Sequence, residues 1–370
     1  MMTDERIKLC VLFGGRSGEH EVSLMSARSV LSVLDPSKYE VIQVGITHDG
    51  KWLGGTDVIS AFESSDFTGL FPVVIKPEPG DATLYAQRDS RLEPFANLDV
   101  IFPVLHGSYG EDGTLQGFFE MADIAYVGAG VLGSSVAMDK ALFKEIMRNR
   151  NIPVVDSVLA TRIQIEKDMP TIIDKAERMS GYPLFVKPAN LGSSVGVTKC
   201  RNRSDLQEGL MEAAQYDRRI LIEHGVNARE IEVSVLGNDD PKASVAGEIL
   251  PSREFYSYEA KYLDNASGLL IPAPIDLAVM ERVRKYAVEA FLASDCSGMA
   301  RADFFLDKDS GELFLNEINT IPGFTKISMY PKLWDASGLP YPALIDRLVE
   351  LALERKADRD RTVRVYRREG

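Results

Sequence analysis

The sequence predicts an α/β fold with α+β parts, and three observations carry that expectation. Through the first third of the chain, apolar runs alternate with helical stripes, the βαβ rhythm of a parallel sheet covered by helices. Further on, YPLFVKPANLGSSVGVTKC reads as a strand, a Gly/Ser loop and a second strand with no helix between them. Toward the C-terminus, MARADFFL and ELFLNEIN are alternating runs joined by the turn-rich DKDSG, a β-hairpin. A length of 370 residues leaves room for two or three domains with ample core.

Taken in order, KLCVLFGG is a buried strand closed by Gly14 and Gly15 at a tight turn. A helix from about residue 21 to 34 puts Leu24, Ala27, Leu31 and Leu34 on one stripe. YEVIQVGI and LDVIFPVLHG are further strands, and DGTLQGFFEMAD is helical. Between residues 55 and 95 Pro and Gly rise and the pattern weakens, as in an insertion. SSVAMDKALFKEIMRNRNIPV is a single helix ended by Asn151 and Pro153. SDLQEGLMEAAQYD is a helix with Ser204 as its cap signal, and RILIEHGV is a strand ending at Glu223. REIEVSVLG is a strand, residues 251–272 are a long loop, and AVMERVRKYAVEAFLAS is a helix. After the hairpin a last helix runs from near Tyr341 to Glu354, and the charged tail KADRDRTVRVYRREG is expected to fray.

Composition narrows the function. Apolar content of 45% and charged content of 26% are ordinary for a soluble globular protein. A net charge of −13 disfavours non-specific nucleic-acid binding, which needs a basic face. Cys10, Cys200 and Cys296 are widely spaced without metal spacing, as expected of free thiols in a reducing compartment. The four histidines form no metal motif. The start has too short an apolar run for a signal peptide, and no run is long enough to span a bilayer.

The hairpin carries the richest chemistry. Side chains alternate along a strand, so Arg301 and Asp303 share one face, as do Leu315, Glu317 and Asn319 on the second strand. If Asp303 lies opposite Glu317, then Arg301, Asp303, Glu317 and Asn319 form one polar cluster over an apolar face of Phe304, Leu306, Phe314 and Ile318. Two carboxylates and an amide oxygen suit Mg²⁺, which keeps positions open for water and phosphate oxygens. An adjacent Arg suits a developing anion. The same alternation also describes any half-exposed hairpin.

GSSVG at 192–196 follows Lys187, and its small residues let backbone N–H groups approach phosphate oxygens; a plain flexible loop has the same composition. Lys140 and Lys187 are charges for a polyphosphate, or solvated lysines. Glu223 and Glu230 bracket EHGVNARE and suit an adenine amino group and ribose hydroxyls, or merely flank a turn. GGRSGEHEVS puts Glu19 near the C-terminal end of a parallel sheet, where such sheets bind ligands. Its glycines lack the GxGxxG spacing of a dinucleotide site. PSREFYSYEAKYL is an aromatic loop of the length that lids have, ending at Lys261 and Tyr262.

Seven segments, GGRSGEHEVS, HGSYGEDGTLQG, AMDK, VKPANLGSSVGV, YEAKY, ARADFF and NEINTIPGFT, together resemble the D-alanine–D-alanine ligases of bacterial cell-wall synthesis, which have the ATP-grasp fold. The resemblance spans nearly the whole chain, in family order, apart from residues 55–95 and the tail. It implies a Rossmann-like parallel-sheet domain at 1–128 and two α+β ATP-grasp subdomains, 129–223 and 224–370, sandwiching ATP, with a lid loop at about 250–272. It implies a cytoplasmic homodimer with no nucleic-acid or membrane partner. The reaction implied is phosphorylation of one D-alanine carboxylate by ATP, then attack of a second D-alanine's amine on the acyl phosphate.

Carried over by motif, Asp303, Glu317 and Asn319 would bind two Mg²⁺ or Mn²⁺ ions. Lys140 and Lys187 would hold the α/β-phosphates, Ser193 and Ser194 would line the ATP site, and Lys261 would reach the γ-phosphate. Glu223 and the Val226 backbone would meet adenine, and Glu230 the ribose. Arg301 and the Gly323 N–H would stabilise the tetrahedral oxyanion. Glu19 would anchor the first D-alanine's ammonium and join Ser193 and Tyr262 in a relay. Ser328, with Met329 nearby, would hold the second carboxylate, and His106 would lie close to both substrates. Tyr262 in YEAKY favours D-alanine over D-lactate as acceptor. Three other readings compete: another ATP-grasp carboxylate–amine ligase, a nucleotide sensor with a gap in the catalytic set, and a dinucleotide oxidoreductase. No such gap is visible in the sequence.

Overall fold

The computed structural model describes residues 6–192, 195–250 and 268–364. Ser193, Ser194, Lys261 and Tyr262, and most of the expected lid loop, lie outside them. Among the described residues the strands form three sheets.

The first sheet is built on β1 (Ile7–Gly14), whose apolar run is buried among neighbours on both sides. It pairs in parallel with β2 (Tyr39–Ile46). Four antiparallel strands then widen the sheet: β3 (Trp52–Gly54), β4 (Phe71–Ile75), β5 (Thr83–Arg88) and the exposed edge strand β6 (Arg91–Asn97). The weakly patterned stretch is therefore a meander that extends the parallel sheet. On the other side of β1 lie the parallel strands β7 (Val100–Val104) and β8 (Ala125–Tyr126). Helices α1 (His20–Leu31), α2 (Val58–Ser64) and α3 (Thr114–Ala122) complete this part.

The single helix expected over 134–154 is two, α4 (Val131–Met138) and α5 (Lys140–Asn149). Between them Asp139 is extended, with φ −86° and ψ 96°. Its carboxylate accepts from Leu142 N (2.9 Å), capping α5, and also pairs with Arg219. Lys140 N donates to Ala189 O at 2.9 Å, which ties the start of α5 to the stem of the Gly/Ser loop. These partners are distant in sequence, so helical periodicity gave no sign of the break.

The second sheet is antiparallel: β9 (Ser157–Thr161), β10 (Leu184–Pro188), β11 (Thr198–Cys200) and β12 (Arg219–His224), in the order β11-β10-β12-β9. Helices α6 (Arg162–Met179) and α7 (Arg203–Tyr216) cover it. The cap of α7 is Asn202, which accepts from Asp205 N at 3.0 Å; Ser204 sits inside the first turn. The third sheet is antiparallel too: β13 (Ala228–Gly237), β14 (Lys242–Leu250), β15 (Gly268–Leu270), β16 (Gly298–Asp307) and β17 (Leu313–Asn319), in the order β15-β14-β13-β16-β17. Helix α8 (Leu277–Ala293) and α5 pack on one face of it through Phe291, Phe143 and Met147.

The C-terminal helices α9 (Met329–Ala336) and α10 (Tyr341–Asp360) return to the first sheet. Phe324 is fully buried and packs edge-on against Phe102 of β7 (5.7 Å) and Tyr330 of α9 (5.6 Å). This draws the end of the hairpin to the ends of the parallel strands. Helix α10 runs past Glu354 to Asp360, so the first residues of the charged tail are helical rather than frayed. Arg355 donates to Gly128 O (2.8 Å) and Tyr126 O (3.1 Å), and Arg359 to Asp123 (2.9 Å), which fastens this end to β8 and its surroundings.

Candidate functional site

The hairpin closes in the register the sequence suggested, with Arg301 opposite Asn319 and Asp303 opposite Glu317. The next pair is Phe304 with Leu315, so Asn316 is a bulge. One extra residue switches faces: Leu315 is fully buried with Phe304 and Ile318, while Phe314 is not buried. The grouping of Leu315 with Glu317 and Asn319 is thereby corrected, since simple alternation omits the inserted residue. Arg301 grips Asp303 with two hydrogen bonds of 2.7 Å, and its Nε lies 3.0 Å from Glu232 Oε2. Asn319 Nδ2 also donates to Asp303, at 2.9 Å. Glu232 stands opposite Asp303 on β13, two residues from Glu230. Sequence reasoning missed it, although period-two spacing from Glu230 was a usable signal.

Lys140 links the hairpin to the second sheet. Its Nζ donates to Leu191 O (2.7 Å) and lies 3.6 Å from Glu317 Oε2. One helical turn on, Lys144 is 1% exposed and places Nζ 2.9 Å from Glu223 Oε1, while Lys187 Nζ is 2.6 Å from Glu223 Oε2. Sequence reasoning missed Lys144 as well; the i, i+4 spacing from Lys140 was the signal. Burial works to lower the Lys187 pKa, but Glu223, followed by Glu317 and Glu230, raises it.

Burial alone would raise the Glu223 carboxyl, but Lys144 and Lys187 overcome that and hold it at about 2, below the ordinary 4.5. The folded value lies below the unfolded one. Glu223 therefore stabilises the fold above about pH 4.5, and that contribution is lost as pH falls toward about 2. Glu223→Gln is expected to flatten the acid-side fall in urea midpoint between about pH 5 and about pH 3. Parallel curves for the two proteins would contradict this.

A second group gathers at the ends of β1 and β7. Glu19 is 8% exposed, and a Cβ on Gly107 or Gly192 would stand 2.3 Å or 3.0 Å from its Oε2. Gly192 and Gly107 thus both abut this carboxylate, and the lack of a side chain at those two positions is what lets the backbone approach. His106 Nδ1 lies 3.1 Å from Ile321 O and must donate to it; Nε2 lies 3.1 Å from Ser26 Oγ. Burial lowers the His106 pKa although Glu19 opposes it, which leaves a neutral ring with its tautomer fixed by the Ile321 carbonyl. Glu111, also missed, accepts from Gly107 N (2.8 Å) and Ile321 N (3.4 Å). Burial, followed by the charge of Glu19, pushes its carboxyl up to about 8. Gly323 faces Ser328, whose Oγ accepts from Thr325 N at 2.9 Å. Met329 buries its side chain with Ile249 and Leu333, so only its backbone is left for a ligand at the start of α9. Val226 is half-buried between the second and third sheets.

The structure thus joins Arg301, Asp303, Glu317, Asn319 and Lys140 in one group, Lys187 and Glu223 in a second, and Glu19 with the loop bearing His106 in a third. Three carboxylates (Glu232, Asp303, Glu317) face two cations (Arg301, Lys140) in the first group, an excess of negative charge that suits a divalent ion. Among the described residues no three His, Cys, Asp or Glu side chains are grouped to hold a metal by themselves. Two carboxylates and an amide make the incomplete oxygen shell that Mg²⁺ accepts when phosphate and water supply the rest. A separate cavity of about 310 Å³, walled by Ile46, Trp52, Leu115 and Phe118, touches His106 but none of the lysines or carboxylates.

A doubly wound sheet facing two antiparallel sheets, with lysines, carboxylates and an arginine where they meet, defines an ATP-grasp enzyme. Residues 8–129 match the family model described as D-ala D-ala ligase N-terminus, and residues 146–350 match that of the D-ala D-ala ligase C-terminus. The D-alanine–D-alanine ligase of Natranaerobius thermophilus is 48% identical over 96% of this chain and 98% of its own length. That of Thermoanaerobacter pseudethanolicus is 51% identical over 95% and 97%. Among solved structures, the ligase of Coxiella burnetii superposes with a TM-score of 0.82 at 36% identity, covering 96% of each chain. The VanG D-Ala:D-Ser ligase of Enterococcus faecalis gives 0.84 at 35% identity, over 94% of this chain and 99% of its own. The chain belongs to the D-alanine–D-alanine ligase family. No helix among the described residues is long and apolar enough to cross a membrane.

Proposed function

We propose that this protein joins two D-alanine molecules into D-alanyl-D-alanine, with ATP as co-substrate and a D-alanyl phosphate as intermediate, releasing ADP and phosphate for peptidoglycan precursor synthesis. The observation that carries this reading is the bridge made by Lys140: it lies within 3.6 Å of Glu317 on the hairpin and holds Leu191 of the loop whose Gly192 abuts Glu19. This supports a reading in which a phosphate-binding end and an ammonium-binding end adjoin.

Asp303, Glu317 and Asn319 are the residues that would hold one or two Mg²⁺ or Mn²⁺ ions, which when bound neutralise phosphate charge. In this reading Lys140 and Lys187 bind the α/β-phosphates, and the family motifs assign Lys261 to the γ-phosphate and Ser193 and Ser194 to ATP. Glu223 and the Val226 backbone take adenine, and Glu230 the ribose. Glu19 anchors the first D-alanine's ammonium and orders the reacting carboxylate. Arg301, fixed by two carboxylates, points a pre-set guanidinium at the oxyanion with the Gly323 N–H. Ser328 and the Met329 backbone receive the second carboxylate, and neutral His106 offers a hydrogen-bonding wall without adding charge. The setting is a cytoplasmic homodimer.

The likeness to a D-Ala:D-Ser ligase supports a second reading in which the acceptor is D-serine. Phosphate release should be measured with D-alanine alone, with D-alanine plus D-serine or D-lactate, and with L-alanine. Full turnover on D-alanine alone is expected. No response to D-alanine rejects the first reading, and a mixed D-alanyl-D-serine product in excess selects the second.

A further inference from the structure

One buried charge has no part in the reading above. Lys144 is 1% exposed, and among the described residues no acceptor but Glu223 lies near its Nζ. The contact is an ion pair at 2.9 Å rather than an aligned hydrogen bond. Glu223 is itself 2% exposed and touches Lys187 with its other oxygen. One carboxylate charge is therefore shared by two ammonium groups, and the trio keeps one positive charge. A methionine would fill the same space without the cost of desolvating an ammonium, so packing alone does not explain a lysine here.

We propose that Lys144 is a positioning residue that neutralises Glu223 and thereby leaves the charge of Lys187 available to the phosphates of the nucleotide. Without Lys144, Glu223 would pair with Lys187 alone, and a closed ion pair attracts phosphate weakly. With it, Glu223 stays an ionised acceptor for a purine amino group while Lys187 answers to a second anion. Lys144 does not itself touch the nucleotide. The inference rests on the reading of this region as the ATP site.

The test is the ratio of affinities for ADP and adenosine, measured by calorimetry with Mg²⁺ on the full chain. Taking the ratio cancels any change in adenine contact and isolates phosphate attraction. Lys144→Met is expected to reduce the ratio about tenfold, the scale of one Coulomb contact in a partly screened site. Glu223→Gln is expected to raise it, since Lys187 then has no carboxylate partner in the trio; this holds even if Lys144→Met fails to fold. The ratio in the unaltered protein should also fall with rising pH as Lys144 deprotonates, because burial lowers its pKa while Lys187 remains raised. The charges facing Lys144 are Glu223, Lys187 and Arg148, and subtracting the Lys144→Met profile removes the titration of other groups. A purely structural Lys144 would lower the melting temperature and leave the ratio untouched, and that result overturns the proposal, as does an unchanged ratio in Glu223→Gln. Failure of the unaltered protein to bind ADP would instead overturn the ATP-site reading and take this inference with it.

Discussion

Arg301→Ala should lower kcat about a hundredfold to a thousandfold, the cost of losing one preorganised oxyanion donor, roughly 3–4 kcal/mol. The side chain is only 20% exposed and its guanidinium is held from two sides, by Asp303 through paired 2.7 Å hydrogen bonds and by Glu232 at 3.0 Å. Such a group needs no reorganisation when negative charge develops in front of it. Arg301→Lys should recover little, because an ammonium cannot keep the two-pronged grip that fixes the direction of the charge. ADP affinity measured beside kcat separates oxyanion loss from disturbance of Asp303. A kcat near that of the unaltered enzyme would remove Arg301 from the mechanism.

Glu317→Gln should weaken divalent-ion binding and depress turnover most strongly at limiting Mg²⁺, with partial recovery at high Mg²⁺. Glu317 is 22% exposed and lies 3.6 Å from Lys140, so the substitution would remove the hard anionic ligand proposed for the metal and also loosen the cation beside it. Its neighbour Leu315 lies in the core and is untouched, and the melting temperature should hold. Turnover at limiting Mg²⁺ equal to that of the unaltered enzyme would mean that this hairpin does not hold the metal.

Much of the site was legible because strand alternation is local. Arg301 with Asp303, and Glu317 with Asn319, share a face by the period of two, whereas the pairing of Asp303 with Glu317 depends on the bulge, since the register set at the turn (Leu306 with Leu313, Phe304 with Leu315) would put Asp303 opposite Asn316. The limits are as informative. The bulge at Asn316 sends Leu315 into the core, and no alternation rule announces an inserted residue. Glu232 and Lys144 went unremarked in the sequence because their partners stand on other elements, β16 and β12. The stretch between 55 and 95 carried turn residues but no sign that its strands join the parallel sheet.

The sequence by itself determined the parallel strands β1, β2 and β7 of the first sheet, the polar face of the hairpin and the ordered run of motifs, because each depends on residues a few positions apart. Only the tertiary structure decided that α4 and α5 part at Asp139, that Lys144 and Lys187 divide one carboxylate, and that Phe324 pins the hairpin's end to β7. Those outcomes come from Arg219, Glu223 and Phe102 meeting partners far along the chain, where burial multiplies the strength of a charge or a ring contact and where local periodicity carries no record.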